Sequence, residues 1–415
     1  MATSAPAPTY TLKTVLKLKA FRTLWLAQFV SIFGDFLALF GVIALITFTW
    51  HRTAVEVTAV TIAYLLPMAI IGPIAGVFVD HWNVKRIMIA SDLIRAGLIV
   101  GLVFATDVRQ ICVIFFVLST VSSFFAPAQS VTLRTVVPVE GLLAANTLMA
   151  QAFYVVRLFS PALAGALVSW LTEKSCFYLD TASFIFSAVM ISTLSIVRPA
   201  RAQTEKTVQS LTQDFLAGNK FIFTHAGLAF VFIAMAMAMF VLGSFSPLIS
   251  IYIRDSLAAG PKTFGIISAM VGVGLIAGTQ LMNRLSKRSK PHVVVGGLLA
   301  LGIGVGLLGL FHNLPMAALS TFTMGFGIAF VWVPAQTMSQ QETPPAMVGR
   351  VSSSFMSLIS LAQVLGLLLS GLLAQRLGIR PLFLTSAGVL ALIAGAGYLM
   401  VQGRMSAAAT PTTQP

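Results

Sequence analysis

The sequence predicts an all-α membrane protein of twelve transmembrane helices, arranged as two pseudo-symmetric six-helix bundles. Three observations predict it. Apolar segments long enough to span a bilayer recur along the chain, lysine and arginine are distributed unevenly between alternate connections, and an internal repeat halves the sequence. Of 415 residues, 57% are hydrophobic and only 9% are charged, and the mean hydropathy is +0.93. A soluble domain carries about 25% charged residues, so a soluble enzyme or binding module is excluded for most of the chain.

The apolar segments come first. A hydrocarbon core of about 30 Å needs roughly 20 apolar residues of helix to cross it. Runs bounded by polar or Gly/Pro punctuation predict spans at 21–49, 57–79, 86–106, 110–133, 142–171 and 177–197. Six more follow at 221–252, 263–283, 292–311, 315–339, 347–375 and 381–401. The stretch 198–220 is the one long hydrophilic interior segment. The expected organisation is therefore an N-terminal six-helix bundle (1–197), a cytoplasmic linker (198–220), a C-terminal six-helix bundle (221–403) and a cytoplasmic tail (404–415). A basic stretch, Lys13, Lys17, Lys19 and Arg22, precedes an apolar run that continues to about Thr49. That run is too long for a signal-peptide core and no small-residue cleavage site follows, so it reads as an uncleaved first span.

Charge supplies the orientation. The net charge is +14, but the basic residues sit in short connections between apolar runs and form no nucleic-acid footprint. With a cytoplasmic N-terminus, 17 of the 26 lysines and arginines fall on the inside and 7 in outside loops, leaving Arg95 and Arg157 within spans. Positive residues accumulate on the cytoplasmic side. The bias predicts a multi-pass protein of the cell (inner) membrane with both termini cytoplasmic, and hence an even number of spans.

The repeat completes the fold. Pro127-Ala128-Gln129 followed by Pro138 is matched by Pro334-Ala335-Gln336 followed by Pro345, at an offset of 207 residues. Ile74-Ala75-Gly76 with Lys85-Arg86 is matched by Ile276-Ala277-Gly278 with Lys287-Arg288, at an offset of 202. Each echo joins the end of an outward-to-inward span to its cytoplasmic loop, at the same place in each half. Parallel six-helix repeats with a substrate site between the halves are a transporter architecture.

These residues also carry a resemblance. The stretch Gly76-Val-Phe-Val-Asp80-His-Trp-Asn83-Val-Lys85-Arg86 is similar to the signature between helices 2 and 3 of the major facilitator superfamily, with Asn83 where that pattern has Gly. Phe33-Gly34-Asp35, Phe125-Ala126-Pro127-Ala128, Ala145-Asn146-Thr147-Leu148, Leu179-Asp180-Thr181-Ala182 and Gly349-Arg350-Val351-Ser352 resemble the drug:proton antiporter-3 group. That group includes macrolide efflux pumps, an enterobactin exporter and, more distantly, a lysophospholipid transporter. The resemblance covers nearly the whole chain and implies the major facilitator fold and transport by rocking of two halves around a midplane site.

Asp35 is the candidate coupling residue. It lies 13 residues after Arg22 and 16 before His51, near the bilayer midplane at 1.5 Å per residue. A carboxylate at that depth costs about 2.5–3.5 kcal/mol on insertion scales, so it must face the bundle interior and have a partner. Arg157, 16 residues after Gly141 and 16 before Glu173, is the expected partner, since the resemblance implies that helices 1 and 5 are neighbours. Either Asp35 is protonatable and biases two access states, or the pair is static and only fixes helix register. Gln28, Gln151 and Gln336 are polar side chains expected along the translocation pathway, the alternative being hydrogen bonds between helices.

The loop Gly76, Asp80, Lys85 and Arg86 is expected to gate. Gly76 permits close packing, Asp80 can cap or pair with a helix end, and Lys85 and Arg86 meet anionic lipid headgroups. Plain positive-inside anchoring would explain the two basic residues but not Asp80. Asp92 and Arg95, three apart on the third span, can neutralise each other on one helix face or join Asp80 in a cytoplasmic network. Ser160-Pro161-Ala162-Leu163-Ala164-Gly165 resembles the glycine-proline motif of antiporters, with Ser160 and Ala164 at glycine positions; an ordinary packing kink at Pro161 is the alternative. The arginine of the antiporter motif in the fourth span has no counterpart within 110–133.

Other chemistries find little support. The five histidines, His51, His81, His225, His292 and His312, stand singly, so no metal site and no acid–base cluster is expected. No phosphate-cradling glycine loop occurs, no cofactor is implied, and transport energy is expected from an ion gradient. Cys112 and Cys176 read as isolated thiols, a disulfide being the alternative. The expected function is secondary active, proton-coupled efflux of hydrophobic or amphiphilic small molecules by a monomeric, non-enzymatic protein. The alternative is a facilitator of lysophospholipid-type lipids.

Overall fold

A computed structural model describes residues 11–196, 208–285, 291–344 and 347–409. The helices are α1 (Leu12–Lys17), α2 (Lys19–Ala44), α3 (Ala54–His81), α4 (Val84–Val103), α5 (Val108–Val136), α6 (Leu142–Trp170) and α7 (Glu173–Ser192), then α8 (Val208–Thr224) and α9 (Ala226–Asp255). They continue with α10 (Pro261–Leu285), α11 (Pro291–Leu310), α12 (Leu314–Gln341), α13 (Val348–Leu377) and α14 (Ile379–Ala409). A π-helical turn, Leu45–Thr49, extends α2. Among the described residues, eleven helices are long and apolar enough to cross a membrane. The third span falls outside that number because α4 carries Lys85, Arg86, Asp92 and Arg95, yet it has 20 residues and packs on α5 and α7.

The chain divides into two units, Met1–Arg52 with Ala59–Ala202, and Thr53–Thr58 with Gln203–Pro415. In the first, α7 packs along both α2 and α4, α6 packs on α2, and α5 on α4. Small residues decide how closely α2 and α7 approach. A Cβ at Gly41 would lie 2.9 Å from the Cys176 Cβ and 3.2 Å from the Phe177 ring, so only glycine lets these backbones meet. Trp25 Nε1 donates to the Leu148 carbonyl at 3.1 Å, tying α2 to α6. At one end of this unit Val15, Phe21, Leu24, Val84, Met88, Leu133, Ala145 and Ile191 form a buried apolar cluster. Alternating helix direction puts these termini together, and Lys85 Nζ closes the end by donating to the Leu194 carbonyl just past α7 at 2.7 Å. Asn83, which replaces the glycine of the signature loop, has a structural role: its side chain caps α4 by accepting from Arg86 N at 3.1 Å.

In the second unit α12 is packed between α10 and α11, α9 packs on α13, and α11 on α14. Backbone-to-backbone contacts at glycine fix these pairs. A Cβ at Gly274 would run into the Phe322 carbonyl, and one at Gly325 into the Val271 carbonyl, a reciprocal α10–α12 contact. Gly243 and Gly366 do the same between α9 and α13, where Ser244 Oγ also donates to the Gly366 carbonyl at 3.0 Å. Arg380 fixes the α11–α14 end by donating from Nε and Nη2 to the Gly309 carbonyl at 3.1 and 2.8 Å. Backbone carbonyls cannot swing aside as side chains do, and overpacking generally costs about 1–3 kcal/mol or more. Gly325→Ala is therefore expected to lower the melting temperature of the detergent-purified protein sharply. Gly388→Ala, where a Cβ meets nothing within 4 Å, should leave it unchanged; equal effects at both sites would refute the close-packing account.

The repeat seen in the sequence lands on corresponding elements: Pro127 lies inside α5 and Pro334 inside α12, the fourth and tenth spans. Two boundaries differ from those expected of hydropathy alone. The stretch expected as linker is helical from Val208 onward as α8. The last helix runs past Arg404 to Ala409, because Ala407, Ala408 and Ala409 are strong helix formers that hydropathy does not register. Residues 198–207 of the linker, Lys287, Arg288, Pro345 and residues 410–415 lie outside the described residues. Cys112 and Cys176 are free thiols.

Candidate functional site

Four charged side chains meet within the first unit. Arg95 on α4 is 4% exposed, and its guanidinium pairs with Asp92 one turn earlier on the same helix. Arg95 Nη1 also lies 3.7 Å from Asp35 Oδ2, on α2. Two aromatic rings hold the cation in place: its central carbon is 4.6 Å from the ring centre of Phe125 on α5 and 4.2 Å from that of Phe184 on α7. Such contacts contribute about 0.5–2 kcal/mol each, the upper end where water is excluded. Asp180, fully buried on α7, completes the group. Its Oδ1 accepts from Ser183 Oγ at 3.1 Å, and its charge acts on those of Asp35, Arg95 and Asp92. Tyr64 on α3 feels Asp35, Asp180 and Arg95.

Local sequence explains the convergence. Gly34 precedes Asp35 and has no side chain where Asp180 and Ser183 press against α2; a Cβ there would collide with both. Asp92 and Arg95 are three residues apart and so share one helix face. Exposure separates the three carboxylates: Asp35 keeps 21% of its side-chain surface while Asp92 keeps none. Asp35 is the most exposed member of the three.

The expected Asp35–Arg157 pair is corrected. Helices α2 and α6 do pack together, as expected of the first and fifth spans. Yet the buried stripe of α6 is Ala152, Val156, Ser160 and Ala164, and Arg157 lies about 100° round the helix from Val156. Its side chain is exposed and makes no ion pair or hydrogen bond among the described residues. Arg95 takes the place instead, because α4 and α2 pack on the same helix, α7. The internal Asp92–Arg95 pairing on α4 is present, with Asp35 added to it.

The remaining candidates are scattered. Gln28 is buried two turns before Asp35, and its Nε2 has no hydrogen-bond partner among the described residues. Gln151 is exposed on α6, and Gln336 is half-buried on α12 in the second unit. Ser160, Pro161 and Gly165 are all buried in α6, which runs through Pro161 without interruption. Of the gating loop, Lys85 is half-buried and Arg86 exposed; Gly76 and Asp80 fall on α3, but their surroundings lie outside the described side chains. Asp180 and the two aromatic rings were not anticipated as site residues. Asp180 did carry a signal: it is a carboxylate inside an apolar span, the same feature that marked Asp35.

Comparison with known proteins agrees with this picture. The family described as transmembrane secretion effector, MFS_3, matches residues 11–414. The uncharacterized MFS-type transporter YfiS of Bacillus subtilis is 28% identical over 383 residues, covering 90% of this chain and 91% of that one. Macrolide efflux protein A of Streptococcus pyogenes is 26% identical over 393 residues, covering 91% and 95%. Among solved structures, a bacterial homolog of the human lysosomal transporter Spinster, inward-facing and unoccupied, superposes with a TM-score of 0.74 at 13% identity, covering 93% of this chain and 97% of that one.

Proposed function

Because the chain belongs to the transmembrane secretion effector (MFS_3) family of major facilitator transporters, we propose that it is a proton-coupled exporter of hydrophobic or amphiphilic small molecules. It is a membrane transporter and not an enzyme. The observation that carries the reading is the Asp35–Arg95–Asp92 group: a partly reachable carboxylate beside a buried, aromatically held cation that a second carboxylate already pairs. Protonating Asp35 at Oδ2 removes one of the two negative charges facing Arg95. A site with two charge states, one matched to each access state, lets a proton gradient shift the populations of those states. Alternating access then carries substrate outward as the proton moves inward. The macrolide efflux for which the Streptococcus relative is named supports the direction and substrate class.

The test is a panel in proteoliposomes with an imposed pH gradient: a macrolide, a lipophilic dye and a labelled lysophospholipid. The macrolide or dye is expected to move only while the gradient lasts. Movement of lysophospholipid alone, indifferent to the gradient, would replace the exporter with a lipid facilitator. In the cell the protein is proposed to work as a monomer in the inner membrane with both termini in the cytoplasm, on the strength of the lysine and arginine bias. A fluorescent protein fused to the C-terminus should then fold and fluoresce; a dark fusion at normal expression contradicts that orientation.

A further inference from the structure

The coupling scheme above leaves one buried carboxyl unused, and Asp180 is the better hidden of the two that flank α2. It is 0% exposed. Among the described residues its Oδ1 is approached by Ser183 Oγ at 3.1 Å, a hydroxyl shared with the Asp180 backbone carbonyl at 2.8 Å, and its Oδ2 is buried without any hydrogen-bond partner. It presses on α2 at Gly34, directly before Asp35, so closely that a Cβ there would meet Asp180 Oδ1. The charged groups acting on it are Asp35 from α2 and Asp92 and Arg95 from α4, while Tyr64 from α3 feels its charge; no charged group of α6 acts on it.

The balance of charge makes this placement informative. Three carboxyls surround one guanidinium. Asp92 and Asp35 are paired with Arg95, and Asp180 is not. A carboxylate buried with no cation of its own is strongly disfavoured, and neutralisation is the usual outcome. A metal ion would need several oxygen ligands, and among the described residues no three His, Cys, Asp or Glu side chains come together to hold one. A proton is the species that fits.

We propose that Asp180 is a second proton-binding residue, which exchanges its proton with Asp35 across the α2–α7 contact. The step balances simply. The O–H bond of protonated Asp35 breaks as an O–H bond forms on the ionised Asp180 carboxylate, and the negative charge passes back to Asp35, which restores its pair with Arg95. Asp35 meets the aqueous pathway and Asp180 stores the proton out of reach of water. The inference rests on the proton-coupled reading of Asp35.

Infrared difference spectroscopy on purified protein taken through a pH jump tests it, with transport assays alongside. Wild type is expected to show two protonated-carboxyl bands. Asp180→Asn should lose one and carry one proton fewer per substrate, and Asp35→Asn should lose the other. Ser183→Ala keeps both carboxyls but removes the hydroxyl that approaches Asp180 Oδ1, so it should shift the Asp180 band and leave the Asp35 band in place; it serves even if Asp180→Asn does not fold. Wild-type bands in Asp180→Asn, or no shift in Ser183→Ala, would overturn the proposal while leaving the Asp35 reading intact. Wild-type bands and coupling in Asp35→Asn would instead sink the coupling scheme itself, and a response to sodium in place of the proton bands would overturn both.

Discussion

Asp35→Asn is expected to abolish pH-gradient-driven transport while the protein still folds and binds substrate. The asparagine keeps the size of the side chain and loses only the ability to change charge. Arg95 remains paired with Asp92 on its own helix, so no buried cation is left bare. The pair that is lost is long at 3.7 Å and 21% exposed on the Asp35 side. The Asp92 pairing and the two ring contacts that hold Arg95 remain, so the fold should be retained. Two readouts separate coupling from folding. Downhill, gradient-free exchange of substrate should persist in the variant, and its rate should no longer depend on pH. If Asp35→Asn retains full gradient-driven transport at wild-type expression, the carboxylate is only a register-fixing contact.

Arg95→Ala is expected to have the largest effect on stability of any single change in the first unit. Asp92 is fully buried and Arg95 is its ion-pair partner. Removing one partner of a buried pair generally costs about 3–5 kcal/mol because the remaining charge is uncompensated. The contacts with Phe125 and Phe184 are lost as well. Little monodisperse protein should be recovered in detergent. The triple variant Asp35→Asn, Asp92→Asn and Arg95→Met should recover a large part of the loss, since it leaves neither carboxylate of the pairing unmatched and fills the volume of the arginine. Arg157→Ala is the contrasting case: it breaks no ion pair or hydrogen bond among the described residues, so it should destabilise the protein less than Arg95→Ala. A thermal melt of the three variants decides the matter, and a greater loss in Arg157→Ala than in Arg95→Ala would reverse the assignment of partners.

The contrast between these two arginines shows how far the sequence could be read. The helices were legible because a bilayer imposes a length on every apolar run, and the internal frame was legible because Pro127 and Pro334 recur at a fixed offset. Asp35 was legible too, since depth can be counted along a helix from its charged ends. Its partner was not. Which of two mid-span arginines reaches Asp35 depends on the rotation of α4 and α6 about their axes. That rotation is set by contacts such as Gly34 against Asp180 and Ser183, which in sequence are only a glycine and two distant polar residues. Asp180 is a related case: the sequence shows a carboxylate in an apolar span, but not the close approach to Gly34 on α2 that sets it beside Asp35. Asn83 shows the opposite situation, where a departure from a familiar pattern turned out to be a helix cap.

The attachment of Arg95 has a mechanical consequence. The side chain starts on α4, is paired with α4 through Asp92, and is flanked by rings from α5 and α7; among the described residues its ion pair with α2 is to Asp35. Three helices therefore anchor the guanidinium like the fixed post of a latch, and Asp35 on α2 is its catch. Removing that ion pair leaves Arg95 held by Asp92 and the two rings. On the proposed coupling, a single proton therefore changes how α2 is attached at one point only, while its packing at Gly41 and the Trp25–Leu148 hydrogen bond persist.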